Sequence, residues 1–163
     1  MTLASRIGVM NHGRILQTGT PSDIYEYPTS RYVADFIGSV NMFEGRLIED
    51  EPDHVRIESA ELGGTVYVDH GVSSAPDATV WVAVRPEKVR IQRERPDQPD
   101  NVFAGTVKEI AYLGDVSRYL VALDSGKLVR VTQPNTDRRD DRVTWEERVW
   151  LAWSPAANVV VTQ

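Results

Sequence analysis

Cysteine is absent from this chain of 163 residues. That excludes disulfides, thiolate metal sites and thiol nucleophiles, and it suits a cytosolic address. Long apolar runs are also absent. No stretch reaches the 18 or more apolar residues of a membrane-spanning helix, and no basic head with an apolar core opens the chain as a secretory signal would. A surplus of positive charge is missing too: the formal net charge is −6 and the pI about 5.1, which argues against nucleic acid as the main partner. The three histidines, His12, His54 and His70, are scattered without ligand-like spacing and read as surface residues. There is no G-x-S-x-G elbow, no dinucleotide glycine pattern opening a helix and no G-x-x-x-x-G-K-[ST] phosphate loop.

What is present is enough for a core: 41% of residues are hydrophobic and 26% charged. The charge is uneven. Residues 1–40 sum to zero (Arg6, Arg14 and Arg31 against Asp23, Glu26 and Asp35), so the rest of the chain carries all of the −6.

The apolar period divides the chain at the same place. Over residues 1–40 it predicts strand, turn, strand and two short helices. Asn11-His12-Gly13 is a hairpin turn sequence. Thr20 is the expected N-cap of the first helix, with Pro21 at its first position, Asp23 in its first turn and Pro28 stopping it. Ser30 caps the second helix, Val33, Phe36 and Ile37 share a face supported by Tyr32, and Gly38 ends it. Beyond Gly38 the period is two, with strands expected near 42–49, 54–58, 65–69, 79–84, 89–93, 102–112, 117–123, 127–132, 147–153 and 158–162. The ELGGT run (61–65) and the stretch Tyr112 to Asp115 read as turns, and TDRRDDR (136–142) as a solvated loop.

Two phrases recur in order. FEGRLIE (43–49) is echoed by FAGTVKE (103–109), and VWVAVRPEKV (80–89) by VWLAWSPAANV (149–159). The phenylalanines lie 60 residues apart and the prolines, Pro86 and Pro155, 69 apart. We expect one supersecondary unit used twice, about 41–93 and 102–163. Val80, Val82 and Val84 share one strand face and Trp81 and Ala83 the other; Val149, Leu151 and Trp153 face away from Trp150 and Ala152. One face should line a small barrel, and the other needs cover from the partner half or another chain. Arg85, Glu87 and Lys88 flank Pro86, where the second phrase has Ser154, Ala156 and Ala157. Two readings of this group stand open: a turn held by an Arg85–Glu87 contact, or a contact to another domain or chain.

The first 45 residues carry a resemblance. The order L-x-x-R-I-x-V-M, G-R-I, Q-x-G-T-P, I-Y-x-x-P, V-A-x-F-I-G is similar to the stretch where the nucleotide-binding domain of a bacterial ABC-importer ATPase ends and its accessory β domain begins. The remainder resembles that accessory domain, TOBE (transport-associated OB), with Arg85-Pro86-Glu87 matching its recurrent R-P-E. GSVNMFEG, VRPEKV and EIAYLGDVSRYLV look most like the putrescine and spermidine branch.

The resemblance implies a mainly β fold of two OB-like barrel halves (41–163), preceded by a short α/β tail of the nucleotide-binding domain (1–40). It implies a regulatory and dimerising module of a polyamine importer, cytoplasmic and peripheral at the inner face of the plasma membrane. The implied partners are a second copy, the upstream ATPase domain and the permease subunits. The phosphate loop, signature motif, magnesium carboxylate and switch histidine of that family have no counterpart here. The chain is therefore expected to be a non-enzymatic C-terminal fragment with no cofactor of its own, ATP and magnesium belonging to the full-length parent. Its catalytic, cofactor and metal residues are none. Its candidate domain or dimer interface is Trp81, Arg85, Glu87, Lys88 and Trp150. The alternatives are a β domain that senses a small ligand (a polyamine, sugar or oxyanion) and, third, an OB-type nucleic-acid binder. Residues 1–20 are expected to be poorly anchored, with open strand edges.

Overall fold

The computed structural model of the chain describes residues 3–136, 138 and 142–163, so most of the TDRRDDR loop lies outside the described residues. It opens with a hairpin, β1 (Ile7–Asn11) and β2 (Arg14–Gly19). Asn11 pairs with Arg14, which leaves His12 (φ 50°) and Gly13 (φ 76°) as a two-residue loop with both residues left-handed. That turn matches the twist of a hairpin.

Helix α1 (Pro21–Glu26) starts at a reciprocal cap. The Asp23 amide donates to Thr20 Oγ1 at 3.2 Å and the Thr20 amide donates to the Asp23 carboxylate at 3.1 Å. These bonds, the Thr20 hydroxyl's first, hold the Asp23 carboxyl below its ordinary pKa. Helix α2 (Arg31–Ile37) is capped by Ser30 and ends at Gly38, whose φ of 166° is extended backbone and not the left-handed conformation. Val9, Ile24 and Val33 form a small core with Ile7 and Ile37 packed against it. The hairpin is thus anchored through Val9, although β1 and β2 pair only with each other and keep open outer edges among the described residues. Phe36 departs from the expected face: it is 62% exposed and stacks on Tyr32, ring centroids 5.8 Å apart. A helix of seven residues has room for one buried stripe, and Val33 and Ala34 occupy it.

The rest is β. One five-stranded sheet runs β12-β6-β3-β4-β5 and the other β10-β9-β8-β11-β7. The strands are β3 (Asn41–Glu51), β4 (His54–Ser59), β5 (Gly64–Val68), β6 (Thr79–Val84), β7 (Arg90–Gln92), β8 (Val102–Tyr112), β9 (Val116–Leu123), β10 (Leu128–Pro134), β11 (Arg148–Ala152) and β12 (Val159–Val161). Each sheet curls on itself in an OB-like manner, β10 approaching β7 and β5 approaching the 3-10 turn Pro155–Ala157.

Registers recur between the sheets. Phe43 faces Val82 and Gly45 faces Val80; sixty residues on, Phe103 faces Leu151 and Gly105 faces Val149. Ile48 and Lys108 both fall in bulges, between Leu47 and Glu49 and between Val107 and Glu109. The last strands are exchanged. After the 3-10 turn Pro86–Lys88, β7 leaves its neighbours to pair with β11; after Pro155–Ala157, β12 crosses to pair with β6.

The Val80, Val82, Val84 face and the Val149, Leu151, Trp153 face both point into a single core. Trp153 is fully buried between Phe43 and Phe103, with ring centroids at 5.8 and 5.3 Å, and donates its Nε1 hydrogen to Asn158 at 2.9 Å. Burial of so large a ring requires a partner for its N–H, and Asn158 supplies it.

Candidate interaction site

Arg85 follows the last residue of β6, Val84, and is only 5% exposed. A buried guanidinium must spend its donors on acceptors, since desolvation costs several kcal/mol, on the order of 2–7, per unmet group. Its Nη1 donates to the carbonyl oxygens of Ala34 (3.0 Å), Gly38 (3.2 Å) and Ser39 (3.1 Å), and Nη2 to that of Tyr25 (3.3 Å). Ala34 is among the last residues of α2, whose carbonyls have no partner within the helix, so Arg85 serves as the helix's C-terminal donor. The guanidinium also lies over the Tyr25 ring, 4.2 Å from its centroid.

The neighbours of Arg85 extend the contact. Tyr25 donates its hydroxyl hydrogen to the Glu87 carboxylate. Burial first, then Glu87, pushes the Tyr25 pKa up to about 12, so this donor stays protonated. Lys88 pairs with Glu26. Arg31, opening α2, lies over the half-buried Trp81 at 3.7 Å from its ring centroid, and its amide donates to the carbonyl of the terminal Gln163 at 2.8 Å. Four of the five residues singled out in the sequence are therefore brought together, against the two helices of the same chain. Trp150 lies apart on β11, where Arg95 covers its ring at 4.9 Å. The hydrogen bonds of Arg85 go to the helical segment and that of Glu87 to Tyr25, so the reading in which they hold their own turn is not what the structure records.

Two residues missed in the sequence matter to the same architecture. Asn41 precedes β3's Phe43 and Asn101 precedes β8's Phe103 by the same step. The Asn41 amide exchanges two hydrogen bonds with the backbone of Arg130, at 2.9 and 2.8 Å, and Asn101 does the same with Tyr67, at 2.8 and 2.9 Å. Each side chain imitates a strand peptide and closes the exposed edge of the other sheet. The repeated N-x-F-x-G, NMFEG and NVFAG, is the signal that would have found them.

His54 is more engaged than a surface histidine. It contacts Asp53 (2.8 Å) and Glu49 (3.3 Å) and stacks on Tyr67, centroids 5.5 Å apart. The Asp53 hydrogen bond, then that of Glu49, raises its pKa above the ordinary value of 6.5. Among the described residues no group of three or more His, Cys, Asp or Glu side chains is placed to hold a metal.

Two curled five-stranded sheets that exchange their last strands, with an α/β segment clamped to one of them through a buried arginine, define an OB-like β fold. Known proteins place it further. Residues 82–161 match the TOBE domain model. The putrescine transport ATP-binding protein PotG of Escherichia coli K12 is 44% identical over 163 residues, covering 99% of this chain and 43% of that protein. The spermidine/putrescine import ATP-binding protein PotA of Treponema pallidum is 37% identical, covering 99% of the chain and 45% of that protein. A structure of the cytoplasmic molybdate-binding protein ModG is alike in fold, with a TM-score of 0.64 and 16% identity over 74% of this chain and 94% of that one. Residues 82–161 are thus similar to the TOBE domain, and nearly the whole chain is similar to part of the ATP-binding proteins named for putrescine and spermidine transport. The chain spans less than half the length of those relatives.

Proposed function

We propose that this chain is the C-terminal regulatory and dimerising module of an ABC-importer ATP-binding subunit of the putrescine and spermidine type. Residues 1–40 are the end of the nucleotide-binding domain, and residues 41–163 are the accessory domain, one OB-like unit used twice. ATP, magnesium and hydrolysis belong to the parent's upstream domain, not to this chain. In the parent the module sits at the cytoplasmic face of the membrane with the permease subunits and a second copy of itself.

The observation that carries this reading is the Arg85 joint. Its four carbonyl bonds, with the Glu87 and Lys88 contacts, tie the helices ahead of Gly38 to the β6 turn. A movement of the ATPase end would then be transmitted to the β domain, which can bias open against closed states if its contacts to the second copy differ between them. Trp81 belongs to this joint, and Trp150 is a candidate for the dimer contact.

A chimera tests the proposal. The chain replaces the matching region of the E. coli putrescine transport ATP-binding protein, and putrescine uptake and subunit association are measured. Retained uptake with an associated pair is the expected result. A stable chimera that hydrolyses ATP but imports no putrescine would overturn the substrate and regulatory assignment. A strict monomer of the isolated chain in light scattering at high micromolar concentration would remove dimerisation as its intrinsic property.

A further inference from the structure

We propose that the cleft beside β10 binds a small anion, its phosphate or carboxylate group held by Arg118 and Arg130. The inference does not rest on the transport reading. It comes from comparing two corresponding surfaces of the same chain.

Register fixes the correspondence. Asn41 clasps Arg130, whose cross-strand neighbour is Leu120; Asn101 clasps Tyr67, whose cross-strand neighbour is Arg56. Two residues before Leu120 and Arg56 stand Arg118 and His54. The bulge glutamates are Glu109 and Glu49.

In the first sheet this surface satisfies itself. Glu49 holds both His54 and Arg56, at 3.3 and 3.1 Å, while His54 and Arg56 stack on Tyr67. The space left there, bounded by Arg56, Tyr67 and Asn101, is about 350 Å³.

In the second sheet the same surface is open. Arg118, Arg130 and Glu109 line a cleft of about 820 Å³, and among the described residues no hydrogen bond, ion pair or ring contact engages any of these three side chains. Lys127, also at the cleft, is already paired with Glu61 at 3.5 Å.

Arg118 and Arg130 are diagonal neighbours across β9 and β10, on one sheet face. Like charges so placed repel, and the chain has a surplus of carboxylates that could have neutralised them. Two adjacent guanidiniums suit a planar carboxylate or a phosphate, which each can grip through paired N–H groups. Met42, Leu120 and Leu128 supply apolar wall for the body of the ligand, and the volume lies within the range of about 300–1,000 Å³ usual for small-molecule sites. Glu109, one charge against two, leaves the balance positive. Local chemistry therefore selects an anion in a chain whose overall charge would favour a cation, and a polyamine does not fit.

Calorimetric titration of the full chain with pyrophosphate, citrate and AMP at low salt tests this. At least one should bind saturably, while putrescine gives no saturable heat. The variant Arg118→Gln/Arg130→Gln should weaken that binding roughly tenfold or more, the loss expected for charged hydrogen bonds, and Arg56→Gln should leave it unchanged. A coincident thermal melt establishes that the double variant is folded, and the single Arg118→Gln variant, with a smaller loss expected, stands in if it is not. No saturable heat with any of the three anions, or equal affinity in the arginine variants, would overturn the proposal.

Discussion

Arg85 shows how much one side chain can decide. It is a cation 5% exposed whose acceptors are four backbone carbonyls and no carboxylate, so its removal leaves those carbonyls without a donor at the place where two segments meet. Arg85→Ala should destabilise the chain by about 3 kcal/mol, the scale of losing charged hydrogen bonds in a buried site. Arg85→Lys should recover little, because an ammonium cannot fork toward both α2 and Tyr25. Urea denaturation measures the loss, and limited proteolysis should release a piece ending near Gly38 faster in the variant. His54 sets a different kind of dependence. Its folded-state pKa is raised, so its stabilisation is complete below about pH 6.5 and is lost as the pH climbs through the raised value. Between about pH 5 and about pH 8 the advantage in Tm of wild type over His54→Gln should shrink. Proton NMR should place the His54 midpoint above that of a free histidine, and Asp53→Asn should lower it.

At the scale of elements the glycines of the paired phrases carry the curl of the sheets. A Cβ on Gly45 would stand 2.4 Å from Ile57 Cγ2 and 2.9 Å from the Glu58 carbonyl oxygen; on Gly105 it would stand 2.6 Å from the Ala122 carbonyl oxygen. Neither glycine has a left-handed φ, so the constraint is approach and not conformation. Gly45→Ala and Gly105→Ala should each cost about 1–3 kcal/mol, with Gly105→Ala the worse because its backbone contact is the closer and the nearest atom to Gly45 is the end of a side chain, which thermal melts of the two variants would rank. This strand plan was legible because turn residues and period two mark it: β6 and β8 lie where they were expected, and the caps at Thr20 and Ser30 follow from short-range chemistry. Arg85, Glu87 and Lys88 stood out because the second phrase has Ser154, Ala156 and Ala157 in their place, and Trp81, like Trp150, because its strand face needed cover. Their partners did not, since Tyr25 and Ala34 lie 60 and 51 residues away and no local pattern joins them. Asn41 and Asn101 escaped for a related reason: a clasp on a distant strand edge has no period.

For the whole molecule the exchange of β7 and β12 decides how it unfolds. The first sheet lacks an edge without β12 and has no clasp on β5 without Asn101; the second lacks β7 and has no clasp on β10 without Asn41. Trp153, contributed by the second phrase, packs on the phenylalanines of both. Each half thus buries its apolar face only with strands and side chains from the other, and the two share one core. Cooperativity follows, because opening either sheet exposes part of the core of its neighbour. Over residues 41–163 the β structure should melt in one transition, with far-ultraviolet circular dichroism and the fluorescence of Trp153 giving the same midpoint. A peptide of residues 41–93 alone should remain unfolded, with circular dichroism lacking a strand signal, and should gain structure when residues 95–163 are added in equimolar amount. Two resolved transitions, or a folded first-half peptide on its own, would show that the exchange is decorative and that each barrel is self-sufficient.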